Sequence, residues 1–242
     1  MNGLPEGGHY KVNGLPEGGH HKVNDLPPSN LVAALRDRLR TPLPGLPAQL
    51  RMAPRPRAAL DPMMTVADLR PAAALLLLYE SDGDWHVPLT LRGASLRHHG
   101  GQVSLPGGRI DPGETAEQTA LREAFEEIGV RPGSVDVLGR LTELPIAVSG
   151  HLLQPVVGYA AHRPAFVVGE HEVQRIIEVP VTRLRAPDAT GWEIRQRSLA
   201  PRESMDVPFF DVAGVRVWGA TAMVLAELIA ILDLLDADAG PA

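Results

Sequence analysis

Residues 105–130 read LPGGRIDPGETAEQTALREAFEEIGV, and the fold turns on how this stretch is read. Thr115, with Gln118 three residues on, is a capping-box signature. Gly129 stands where a glycine closes a helix, so a helix is predicted between them. At 100° per residue, Ala120, Leu121, Ala124, Phe125 and Ile128 share one face, while Glu123, Glu126 and Glu127 occupy an arc of about 100° on the opposite face. Each like-charge pair at this spacing costs a helix about 0.2–0.5 kcal/mol. A solvated helix face is the plain alternative, yet the arc holds no lysine, and its only basic neighbour, Arg122, lies at its edge. A glycine-rich turn leads directly into the helix, and glycines let backbone approach a ligand closely. Three carboxylates beside such a turn form an oxygen-rich site suited to Mg²⁺ or Mn²⁺, whose natural substrate is a phosphate.

The chain around this stretch has 242 residues, 44% hydrophobic and 21% charged, which is the composition of a soluble globular protein able to bury a sizeable core. A formal net charge of −6 argues against a duplex nucleic-acid binder, which needs a basic face. The sequence has no cysteine, so disulfides and thiolate metal sites are excluded, in keeping with a cytoplasmic setting. The longest apolar stretches, residues 72–78 and 220–235, are too short or are broken by Glu227 and Asp233, so no membrane span is expected.

Outward from the glutamates, PAAALLLLYE (71–80) reads as a buried strand, SDGD (81–84) as a turn and WHVPLTLR (85–92) as the return strand. Further strands, with one short helical or turn segment among them, are expected in VDVLGRLTEL, HLLQPVVGYAA and HEVQRIIEVPV. A late hairpin with Ala-Gly at its tip follows in PFFDVAGVRVWG, and a long apolar helix in GATAMVLAELIAILDLLD. Before the body, Ser29 or Asn30 can cap a helix whose Leu31, Leu35 and Leu39 share a face. Pro42, Pro44, Pro47, Pro54 and Pro56 then read as an extended connector, either wrapped on the domain or linking to it. The chain opens with an 11-residue tandem repeat, NGLPEGGHYKV then NGLPEGGHHKV, too poor in apolar residues to offset its ordering entropy. The expected organisation is a disordered tail over 1–28, a helix and Pro-rich connector over 29–69, and the main domain over 70–238. Strands mixed with a few helices make it α+β, an α/β/α sandwich.

The spacing Gly108, Glu114, Arg122-Glu123, Glu126-Glu127, Gly129-Val130 resembles the Nudix box, with Ala124 where the family usually carries a larger aliphatic residue. The resemblance covers about residues 70–235. It implies a Nudix fold with a mixed β-sheet and a loop–helix–loop box, and hydrolysis of a nucleoside diphosphate linked to another moiety. It further implies that Glu123, Glu126 and Glu127 hold Mg²⁺ or Mn²⁺, joined by the carbonyl of Gly107, and that Glu114 and Arg122 brace the loop against the helix.

Just upstream, PLTLRGASLRHHGGQVSLPGG (88–108) resembles the extra signature of the coenzyme A pyrophosphatase branch of that family. Leu89, Thr90, Arg92, Arg97, Gly101, Pro106, Gly107 and Gly108 match; Pro88, Gly93 and Leu105 depart from it. The resemblance implies cleavage of coenzyme A or its derivatives to 3′,5′-ADP and 4′-phosphopantetheine. Arg92 and Arg97 offer bidentate forks for phosphate oxygens, and His98 and His99 can add hydrogen bonds; ordinary surface placement is the alternative for all four. For the base that takes the proton of the attacking water, Glu123 is the first candidate and Glu172 the second, with Glu170 a weaker rival. The expected partner is a small-molecule nucleotide of coenzyme A type, with neither nucleic acid nor membrane, and a homodimer is allowed. ADP-ribose or a dinucleotide as substrate stays open. So does a Nudix-fold binding module without turnover, against which the intact set of glutamates argues.

Overall fold

The computed structural model describes residues 28–59, 65–92, 102–169, 173–196 and 203–238. The central strand β1 (Arg70–Ser81) explains the architecture. Its residues from Ala72 to Tyr79 are all buried, because both of its faces are covered. Ala73, Leu75, Leu77 and Tyr79 point to helix α3 (Ala116–Ile128), where they meet Ala116, Ala120, Ala124 and Ile128. Ala74, Leu76 and Leu78 point the other way, into a larger core built on helix α5 (Ala220–Asp238) through Val224, Leu225, Leu228 and Ile231. The alternation of a strand thus serves two layers of helix, which is the expected α/β/α sandwich.

The sheet is mixed. β1 runs parallel to β7 (His151–Ala160) along its length and turns back into β2 (Asp84–Arg92) through Asp82 and Gly83, both at positive φ, as the SDGD stretch suggested. β2 also pairs with β3 (Val103–Ser104) and β8 (Val173–Pro180), while β4 (Gly107–Arg109) pairs with β1. On the far side of β7 lie β5 (Asp136–Arg140) and β6 (Leu144–Ile146). A short helix, α4 (Val181–Arg185), follows β8 and leads to a second, three-stranded sheet of β9 (Thr190–Gln196), β10 (Ser204–Val212) and β11 (Val215–Trp218). The β10–β11 hairpin turns at Ala213 and Gly214, as the sequence indicated, whereas β9 was not foreseen.

Three expectations are corrected. Helix α1 (Pro28–Arg38) starts ahead of Ser29 and Asn30, so neither residue is its cap. The Pro-rich connector is not simply extended: it forms helix α2 (Gly45–Gln49) and a tight turn over Leu50–Met52, and it buries Gln49, Met52 and Ala53. Leu31, Leu35, Met52 and Ala53 share one core with α5, so packing continues across residue 70. Third, the glutamate arc of α3 adjoins the buried face rather than opposing it. Glu127 lies about 20° around the helix from Ala120 and is 7% exposed, while Phe125, expected on the apolar face, is 51% exposed. Residues 120, 124 and 128 line the sheet, and 127 falls among them because seven residues make nearly two turns. Residues 1–27, which hold the tandem repeat, lie outside the described residues. Among the described residues no helix is long and apolar enough to cross a membrane.

Candidate active site

The site starts at β4. Gly107 and Gly108 pair with Ala74 and Ala73 of β1, and each glycine is required by a different neighbour. A Cβ on Gly107 would stand 2.5 Å from the Ala73 carbonyl oxygen and 2.6 Å from the Ala74 Cα, so backbone packing excludes it. A Cβ on Gly108 would stand 2.2 Å from Oε1 of Glu123. The carboxylate of the helix therefore rests directly on the glycine turn, which is the close approach expected of a ligand loop.

From β4 the chain turns through Gly113, at φ +90°, to reach Thr115. Thr115 caps α3: its hydroxyl accepts from the Gln118 N–H at 3.2 Å, and the Gln118 side chain accepts from the Thr115 N–H at 2.8 Å. At the other end Gly129 adopts the left-handed conformation, φ +73°, and its N–H returns to the Phe125 carbonyl at 3.0 Å.

Arg122 is the hub of the site. Its Nε and Nη2 donate to the two oxygens of Glu114 at 2.9 and 3.0 Å, a bidentate fork. Its Nη1 donates to Glu123 at 2.9 Å and to Glu126 at 3.4 Å, and its Nη2 also reaches the Arg109 carbonyl at 3.3 Å. One guanidinium thus ties the β4 strand, the following loop and the helix together. The Thr119 hydroxyl adds a bond to Glu114 at 2.6 Å. Hydrogen bonds from Arg122, then from Thr119, hold the Glu114 carboxyl down at about 2, and the same carboxylates push the Arg122 guanidinium up.

The expected convergence of three carboxylates does not form. Among the described residues no three acidic or histidine side chains stand together as a metal-binding group. Glu123 and Glu126 turn to Arg122, the cation at hand; the Glu126 side chain is 56% exposed, while Glu127 is buried. What the fold does bring together is Glu123, Gly107, Gly108 and Arg122 on one side of the helix, with Glu127 one turn along. The residues that the resemblance assigns to the metal, the three glutamates and the Gly107 carbonyl, are hard oxygen donors, and that chemistry fits Mg²⁺ or Mn²⁺.

The backbone of Arg92 ends β2, whereas its side chain, Arg97, His98, His99, Glu170 and Glu172 lie outside the described residues. Their flanks are ordered. The Gly169 N–H donates to the Glu127 carbonyl at 2.9 Å and the Val167 N–H to the Ile128 carbonyl at 3.0 Å, so the segment before residue 170 closes the C-terminal end of α3. Val173, just after, pairs with Arg92. Gly169 was not expected at the site; a Cβ there would meet the Glu126 carbonyl oxygen at 2.4 Å. Its only sequence signal was a glycine directly ahead of GEHE's acidic residues. A groove of about 820 Å³ runs past Phe125, Glu126, Gly129 and Val167, and neither Glu123 nor Glu127 lines it.

The NUDIX domain family model matches residues 68–209. The chain is 32% identical over 191 residues to Nudix hydrolase 3 of Caenorhabditis elegans, covering 71% of this chain and 77% of that protein. It is 46% identical over 147 residues to the uncharacterized Nudix hydrolase NudL of Pectobacterium atrosepticum, covering 58% of this chain and 71% of that one. Among solved structures, the Nudix hydrolase RenU of M. smegmatis aligns over 69% of this chain and 87% of its own, at 21% identity and a TM-score of 0.47. The chain belongs to the Nudix family and is a Nudix hydrolase.

Proposed function

We propose that this hydrolase cleaves the pyrophosphate bond of coenzyme A or its derivatives, giving 3′,5′-ADP and 4′-phosphopantetheine or its acyl form. One observation carries the reading: the signature over residues 88–108 ends in Gly107 and Gly108, and the Glu123 carboxylate packs against Gly108. The segment that resembles a coenzyme A-recognition signature is thus continuous with the catalytic turn.

Glu123 and Glu127, with Glu126 and the Gly107 carbonyl, would hold Mg²⁺ or Mn²⁺. A metal bound there polarises phosphoryl oxygens, lowers the pKa of the attacking water and offsets charge on the leaving phosphate. The water oxygen forms a bond to one phosphorus, the bridging P–O bond breaks, and the bridging oxygen leaves with the other phosphate. The proton released by the water passes to Glu123, with Glu172 as the second candidate. Residues 170–172 join Gly169, whose N–H donates to the Glu127 carbonyl, to Val173, which pairs with Arg92. Arg92 and Arg97 would grip the phosphates, assisted by His99. Arg122 and Glu114 hold the turn and the helix in register, so that Glu123 keeps its place on Gly108. The cytoplasm is the proposed setting, on the absence of cysteine.

The test is a panel of coenzyme A, its thioesters, ADP-ribose, NADH and diadenosine polyphosphates, compared by kcat/KM with Mg²⁺ and Mn²⁺. Coenzyme A or a thioester should lead. A tenfold advantage for ADP-ribose or NADH would overturn the substrate assignment, and no turnover of any compound would overturn catalysis itself.

A further inference from the structure

The small sheet ends in an open edge. Its strand order is β11–β10–β9, so among the described residues β9 is paired on one side alone. The main-chain bonds of β10 fix which groups of β9 face outward. Asp206 exchanges both of its main-chain bonds with Arg55, at 2.8 Å each, on the side of β10 away from β9. Ile194, opposite Asp206, therefore sits at a non-hydrogen-bonded position of the β9–β10 ladder, and its N–H and C=O point to the free edge. The Asp211 N–H, five residues along β10, donates at 2.8 Å to the Ala189 carbonyl just ahead of β9, in keeping with that phase. Alternation gives Trp192 and Gln196 the same outward direction. β9 carries neither a bulge nor a proline, two of the devices that keep edge strands from pairing. The Ile194 side chain is 73% exposed, the most of any large apolar side chain among the described residues.

The sequence of β9 complements itself about Ile194. Suppose a second copy lies antiparallel across this edge with a two-fold axis at Ile194. Ile194 then exchanges both main-chain bonds with the partner's Ile194, and Trp192 does so with the partner's Gln196. On the other face of the strand Glu193 meets the partner's Arg195. Within the chain Glu193 already accepts from Arg195 and Arg216. Across the axis, Glu193 and Arg195 of both strands form a square with opposite charges along every side and like charges only on the diagonals. An axis at Glu193 or at Arg195 would instead set like charges face to face. Charge thus favours a second copy of this chain, in one register, over a strand of arbitrary sequence.

We infer that β9 is a self-association surface at which two copies join their small sheets edge to edge about an axis through Ile194. Sedimentation velocity of the full chain tests it, from about 1 to about 100 μM. Wild type should show the mass of two chains at the upper end. Ile194→Pro removes an N–H that bonds nothing within the chain and should raise the dissociation constant at least about tenfold. Arg195→Glu and Glu193→Arg each set like charges opposite across the axis, so each alone should dissociate in the same way. An equimolar mixture of those two restores opposite charges at every position and should regain the two-chain mass, a rescue that a merely unfolded variant cannot show. If a charge variant fails to fold, Ile194→Pro decides; if the proline variant fails, the charge pair decides. A wild type that keeps the mass of one chain at the upper end would overturn the surface. So would a two-chain species untouched by the substitutions, which must use another face, or a mixture of folded charge variants that stays dissociated. Slow amide exchange at Ile194 in a single-chain species would show the edge covered by the chain itself, with the same consequence.

Discussion

Two helices flank the sheet, and each buries a glutamate, with opposite consequences. On α5, Glu227 is fully buried and accepts from the Gly45 N–H at 3.1 Å, the Gln49 amide at 2.8 Å, and the Thr142 N–H and hydroxyl at 3.3 and 2.6 Å. All of these donors are neutral and come from segments that the carboxylate ties together: the α2 region and the link between β5 and β6. On α3, Glu123 and Glu126 share with Glu114 a single guanidinium at the protein surface, and Glu127 follows one turn on. Burial alone does not separate structural from functional carboxylates. The partners do: a set of neutral donors disperses one charge and locks a fold, whereas several carboxylates gathered on one arginine suit a further cation.

The sharpest way to break this contrast is Glu127→Gln. Loss of the metal ligand proposed above should lower kcat/KM beyond the roughly 10–100-fold typical of outer-shell partners. Without metal, the melting temperature should hold or rise, since relief of the i,i+4 repulsion with Glu123 is worth about 0.2–0.5 kcal/mol. Added Mg²⁺ or Mn²⁺ should stabilise wild type through binding linkage and the variant much less. Near-normal turnover in Glu127→Gln would reduce the acidic arc to a helix face.

Glu227→Ala should do the reverse. It removes the acceptor shared by buried Gln49 and half-buried Gly45 and Thr142, and an unsatisfied buried donor costs about 1–3 kcal/mol, so chemical denaturation should show a loss of that order. Turnover per folded molecule should stay near wild type. Glu227→Gln, which keeps one carbonyl oxygen, should lose less. If Glu227→Ala instead leaves stability intact and removes activity, the two helices have been assigned the wrong way round.

A smaller effect is expected at the brace. The Glu114 carboxyl is held at about 2 against an ordinary 4.5, so its contribution to stability is complete above pH 4.5 and is lost as pH falls toward 2. Glu114→Gln should therefore melt more like wild type at pH 2 than at pH 7, and its activity should fall less than that of Glu127→Gln. Parallel pH profiles for variant and wild type would show that the fork to Arg122 carries no linkage. The smallest effect concerns the repeats. Deletion of residues 1–23 should leave kcat/KM and melting temperature nearly unchanged, because their composition lacks a core-forming pattern. A drop in either would mean that these residues pack on the domain or serve its site.

Much was legible in the chain because its signals were local. The Thr115–Gln118 capping box, Gly129 as the helix stop, the buried run of β1 and the Asp-Gly and Ala-Gly turns each depend on neighbours a few positions away. The box spacing identified the family for the same reason: many fixed residue types over a short length. Where the reading went astray, the missing information was the direction of the sheet. Apolar periodicity placed Phe125 inward and Glu127 outward, yet the stripe that meets β1 is centred on Ala120 and Ala124 and takes Glu127 with it. The connector was read from its prolines, but its Gln49 and Met52 pack on α5, some 180 residues away along the chain.

The sequence by itself determined the family, the order of most elements and the identity of the acidic residues, since short-range spacing encodes all three. Only the tertiary structure decided which charges meet. It gathered Glu114, Glu123 and Glu126 onto Arg122, set Glu123 against Gly108, enclosed Glu227 among neutral donors and aligned Arg195 and Arg216 across Glu193. Those contacts join residues distant in the chain, and a carboxylate's role follows from the donors around it, which the packing of the sheet and its two helical layers supplies.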